Sequence, residues 1–196
     1  MDIVDWIRSI NVVDIVIVLF LAGMFILGWI QGSIRRLVGI ASIVFSFFLA
    51  LQLNEFWFGG FLAENWEQFP PEYSVMLGYL IVFVAASVAF SLVIQCTYKQ
   101  AEIFAAQPIV DEILGGILGV VQGFLILMFL VIILDQFFLY TNIPKDPNEL
   151  PFLRDFWNAI DSSQFGALLH EQVIPAFITV TAFLIPDSIE ALYGIE

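Results

Sequence analysis

The stretch Asp111-Glu112-Ile113-Leu114-Gly115-Gly116-Ile117-Leu118-Gly119-Val120-Val121-Gln122-Gly123 decides how this chain folds, and it continues without a charge as far as Asp135. A helix rises about 1.5 Å per residue, so the uncharged run from Ile113 to Leu134 is long enough to cross a hydrocarbon core of about 30 Å. Residues four apart share a helix face, which stacks Gly115, Gly119 and Gly123 above Asp111. In a water-exposed helix each glycine would cost about 1 kcal/mol against alanine. In a membrane the same spacing lets a second helix approach closely and gain packing contacts. The stretch therefore reads as a helix–helix docking face in an all-α integral membrane protein.

The rest of the composition points the same way. Of 196 residues, 61% are hydrophobic, against about 45–50% in an average soluble domain. Mean hydropathy is +0.96. Net charge is −13 with only six Lys or Arg, a surface that repels phosphate backbones and excludes nucleic acid as a partner. The single cysteine, Cys96, lies in an apolar run and reads as a small packing residue.

Four spans are expected, at about 12–30, 34–53, 73–97 and 110–138, in a membrane domain over 1–140. Asp14 sits at the start of the first, suited to cap its N-terminus, and Gly28 and Gly32 lie near its other end. A tight hairpin at Gly32-Ser33 leads into Arg35-Arg36 and the second span. Residues 54–72 carry glutamates among Phe56, Trp57, Phe58, Phe61, Trp66 and Phe69 and read as an interfacial loop, and the segment around Trp6 reads as an interfacial turn of helix. Pro70-Pro71 opens the third span. The tail, 141–196, is expected to form short amphipathic or interfacial helices over 150–157, 164–174 and 176–185, the last too short to span. Arg35, Arg36 and Lys99 fall in loops on one face, which the positive-inside bias makes cytoplasmic. Both termini and the tail are then outside.

Phosphate-loop, zinc-protease and nucleophile-elbow motifs are missing from the sequence. Ser162 or Ser163, His170 and Asp161 spell a hydrolase triad on paper, but the simpler reading is a helix cap. The expectation is a non-enzymatic protein with no metal and no cofactor. Asp14, Asp111 and Asp135 stand at span ends, where they would serve as structural groups or as ion sites of a small transporter or channel. Asp111 is expected to pair with Arg35 or Arg36.

An Asp opening the first span, Gly28-x-x-x-Gly32 followed by Arg35-Arg36, and Asp111-x-x-Leu-Gly115-x-x-x-Gly119-x-x-x-Gly123 together resemble the colicin V production protein (CvpA) family. The resemblance covers about residues 12–140, and a Ser-containing segment ending near Pro175 fits the family's usual tail. It implies a bacterial inner-membrane protein of four spans that supports colicin V production or export and envelope integrity. Beyond the lipid bilayer, its implied partners are a second copy or another membrane or periplasmic protein, for which it would act as anchor. Family members often carry basic residues where this chain has Glu112 and Gln122.

Overall fold

The computed structural model describes residues 11–54, 58–66, 68–97, 108–139, 147 and 149–194. Trp6, Phe56, Trp57 and Lys99 lie outside them. Four long helices carry the architecture: α1 (Val12–Gln31), α2 (Ser33–Leu53), α4 (Pro71–Thr97) and α5 (Pro108–Phe138). A short helix, α3 (Gly59–Asn65), sits between the second and third of these. The tail forms α6 (Pro151–Asp161), α7 (Gln164–Leu168), a π turn (Leu169–Val173), α8 (Ile174–Thr181) and α9 (Asp187–Leu192).

Local chemistry sets the ends of α1. Asn11 is its N-cap and accepts from the Val13 amide, while Asp14 reaches back to the Asn11 amide at 3.2 Å. Asp14 is therefore the third helical residue, which completes a capping box, and not the cap expected for it. At the other end Gly32 has φ of 77°, a left-handed conformation that only glycine adopts cheaply. It ends α1 and begins α2 with no intervening residue, so the hairpin is as tight as a helical turn allows.

The interior is aromatic. Phe47 of α2 and Phe129 of α5 stack at 4.1 Å with planes 7° apart, and Phe83 of α4 meets both edge-on. Edge and stacked pairs of this kind add about 0.5–1.5 kcal/mol beyond their buried area. Apart from Ile17 and Gly28, α1 leaves its side chains at least partly exposed. It is attached to the bundle chiefly along α5. Residues 58–66, expected as an interfacial loop, instead include α3, whose Leu62 is buried.

Among the described residues, five helical segments are long and apolar enough to cross a membrane, the fifth being Gln164–Leu184. The tail was expected to break at Pro175 into two short helices; instead it continues through that residue. The reason is the π turn: the Ile174 amide donates to Leu169, five residues back, which shifts the carbonyl that a proline ring would otherwise strike. Phe177 of this segment packs onto Phe47 and Phe129. Its first amides bind Asp14, and Tyr193 beyond it binds Asp135. Asp14 and Asp135 share one edge, because α1 and α5 are antiparallel: Gly32 lies beside Asp111, Gly28 beside Gly115 and Met24 beside Gly119. From Leu184 to Tyr193 the chain includes helix α9, which rises only about 1.5 Å per residue and is too short to recross a core of about 30 Å. The tail thus starts and ends at one edge, and the described residues make four crossings.

Candidate functional site: carboxylates at the two membrane edges

The site begins with the glycine face. A methyl group at Gly28 would overlap the Gly115 carbonyl, and one at Gly119 would overlap the Met24 carbonyl. One at Gly115 would stand 2.5 Å from the Gly28 oxygen, and one at Gly123 2.9 Å from the Met24 Cγ. Gly116, beside the repeat, faces the ring of Phe25. The two backbones are in contact, which fixes the rotation and depth of α1 against α5.

That register sets the first edge. Asp111 is buried and accepts hydrogen bonds from the Ser33 amide, at 3.4 Å, and from the Ser33 hydroxyl. The expected Asp111–arginine pair is not formed: no ion pair among the described residues includes Asp111. Gly32 turns the chain so that Ser33 meets the carboxylate first. Arg36 instead donates through Nη1 to Gln122 Oε1 at 2.7 Å, across Gly39, where a side chain would collide with the Gln122 amide. A neutral amide at 122 accepts this bond; a basic residue could not. Replacing Ser33 by alanine removes the hydroxyl donor, so Asp111 keeps one backbone donor. A loss of about 1–3 kcal/mol in thermal or denaturant unfolding is expected, and an unchanged midpoint would argue against the contact.

The opposite edge holds the tail. Asp135, with no exposed surface, accepts from Trp157 Nε1 at 2.7 Å, from the Tyr193 hydroxyl, and contacts His170 Nε2 at 2.9 Å. Burial, then the Asp135 charge, pushes the Tyr193 phenol up, so it keeps its proton and remains a donor. His170 Nδ1 lies 3.4 Å from Asp161, completing a carboxylate–imidazole–carboxylate line. Asp14 accepts from the Phe165 amide at 3.1 Å and the Gln164 amide at 3.4 Å, a carboxylate at the start of the tail helix where the helix dipole favours it. Tyr73 accepts from the Leu150 amide at 2.9 Å. Arg154 grips the buried Glu149 through two bonds, 2.6 and 2.7 Å long, while lying 5.1 Å from the centre of the Phe138 ring. The Glu149 bonds hold the Arg154 guanidinium above its ordinary range. Arg154 is thereby neutralised locally and weighs little in the charge bias between membrane faces.

The paper triad takes a different form in space. Ser163 Oγ donates to the Ile160 carbonyl at 2.5 Å and accepts from the Gly166 amide at 2.9 Å, which makes it the cap of α7. Ser162 Oγ donates to the Ala159 carbonyl. Neither serine is hydrogen-bonded to His170, whose ring is taken by Asp135 and Asp161. Ser163→Ala is expected to cost about 1 kcal/mol of stability, the value of a helix cap, and to leave cellular function intact. Loss of function at full stability would revive a nucleophile. Among the described residues, no group of three or more His, Cys, Asp or Glu is placed to hold a metal ion.

Sequence reasoning missed Trp157, Tyr73, Tyr193 and the Glu149–Arg154 pair. The available signal was the strong one-sidedness of residues 151–161, which places Leu153 and Ile160 on the buried face.

Residues 13–182 match the family described as Colicin V production protein. No curated protein matches the chain, and no solved structure does.

Proposed function

Because the chain belongs to the colicin V production protein family, a multi-pass membrane family, we propose that it acts without catalysis in the bacterial inner membrane, supporting toxin production or export or envelope homeostasis. The observation that carries this reading is that each edge carboxylate is already held by the protein itself. Asp111 has Ser33, Asp14 has the tail amides, and Asp135 has three side-chain partners. Ion sites keep ligands free for the ion; these carboxylates spend theirs on joining segments of one chain. On this reading the protein is a locked bundle that presents a fixed outer cap to a membrane or periplasmic partner.

A second reading, a small proton-coupled transporter, draws on the line Asp135–His170–Asp161, which links a fully buried carboxylate to one that is 47% exposed. Reconstitution in vesicles separates the two. The scaffold reading expects no proton or sodium flux above protein-free vesicles. A flux abolished by Asp135→Asn would establish transport. In cells, deletion is expected to reduce colicin V release or envelope robustness, with rescue by the parent and by Ser163→Ala.

Orientation follows from Arg35, Arg36 and Lys99: these face the cytoplasm, and both termini face the periplasm. In a Cys96→Ala background, Lys99→Cys is expected to react with a membrane-impermeant thiol reagent only from the cytoplasmic side. Labelling only from the periplasm would reverse the orientation.

A further inference from the structure

Two cavities meet on the flank of the bundle between α2, α4 and α5. The larger, about 350 Å³, is an apolar trough walled by Ile43, Phe83, Val88, Leu92, Ile126 and Leu130. The smaller, about 200 Å³, lies toward the hairpin edge and is lined by Gln31, Arg35, Arg36 and Gly39. Ser91 and Gln122 line both, so the trough opens into a basic end. Among the described residues no carboxylate lines either cavity.

The basic end has an unmet demand. Arg36 is 6% exposed, and although Nη1 reaches Gln122, its Nε is buried with no acceptor. A buried donor left unpaired in a membrane protein is costly and calls for an acceptor. Asp111 does not supply it, being held by Ser33. An occupant that answers the basic lining and fills the trough is negative at one end and apolar along its length. An uncharged hydrocarbon would leave the guanidinium unmet, and a free soluble anion would leave the trough unfilled.

The geometry points to a binding site for one anionic phospholipid, its phosphate at Arg35 and Arg36 and an acyl chain along the trough past Ser91 and Val88. Charge complementarity selects this occupant: both arginines sit together in a chain with only six Lys or Arg and a net charge of −13. The site uses none of the tail contacts, so it stands or falls separately from the proposed role in toxin production.

Thermal unfolding and native mass spectrometry of the purified full chain test it with three probes: phosphatidylglycerol, phosphatidylcholine and soluble glycerol phosphate. Phosphatidylglycerol is expected to raise the midpoint and to remain bound, while the other two do neither. Arg35→Gln should weaken retention about fivefold, and Ser91→Phe, which plugs the junction while leaving both arginines in place, should abolish it. Arg36 is left intact because it also holds Gln122. Midpoints in phosphatidylcholine serve as the folding control for both variants. Equal stabilisation by phosphatidylcholine would reduce the trough to ordinary lipid contact. Equal stabilisation by glycerol phosphate would make it a free-anion site. Unchanged retention in both correctly folded variants would also overturn the proposal.

Discussion

Replacing Gly119 by leucine is expected to lower the unfolding midpoint of the detergent-solubilised protein sharply while leaving membrane insertion intact. The first added carbon already overlaps the Met24 carbonyl and would lie 3.2 Å from the Gly28 Cα. Both neighbours are helix backbone, which cannot swing aside as a side chain can. The two helices must separate, and the contact between Gly28 and Gly115 separates with them. Overpacking costs about 1–3 kcal/mol, occasionally more, and rigid neighbours put this case at the upper end. Insertion survives because leucine makes the span more apolar. Val121, 43% exposed, lies off this face, and Val121→Leu should be near neutral. Equal midpoints for the two variants would mean that α1 does not pack on the glycine face.

Replacing Asp135 by alanine is expected to release the tail. Trp157, His170 and Tyr193 come from α6, the π turn and the end of α9, and all three converge on this carboxylate. Each partly buried donor left without an acceptor costs about 1–3 kcal/mol, unless water reaches it. The tail can restore those bonds to water only by lifting off the bundle. Limited proteolysis should therefore cut within residues 151–193 faster than in the parent, while the four spans stay protected. Asp135→Asn keeps one acceptor oxygen and should fall between the two. Identical cleavage of the parent and the alanine variant would show that the tail is held by apolar packing alone, through Phe177 on Phe47 and Phe129.

Much of the bundle was legible because membrane folding imposes two simple rules on the sequence. Spans must be long and uncharged, which marks α1, α2, α4 and α5, and close helix contacts favour small residues at helical spacing, which marks Gly28, Gly32, Gly115, Gly119 and Gly123. The partner of Asp111 was not legible. Arginine is the stronger partner by charge, but Ser33 follows directly on the left-handed turn at Gly32 and reaches the carboxylate first. The continuous tail helix was hidden by Pro175, since a π turn depends on hydrogen-bond register that residue type does not reveal. Convergence on Asp135 was hidden for another reason. Its partners are 22, 35 and 58 residues away in sequence, and no local period connects them.

The central claim is that the tail begins and ends at one membrane edge, where Asp14 and Asp135 hold it. Ser162 and Ala191 are exposed on either side of the apolar segment Gln164–Leu184. In a Cys96→Ala background, Ser162→Cys and Ala191→Cys should each react with a membrane-impermeant thiol reagent added to sealed vesicles of known orientation. The account predicts that both react from the same face, the periplasmic one. Labelling of Ala191→Cys from the opposite face to Ser162→Cys would mean that the segment crosses the bilayer, and the tail could not then be anchored on Asp135.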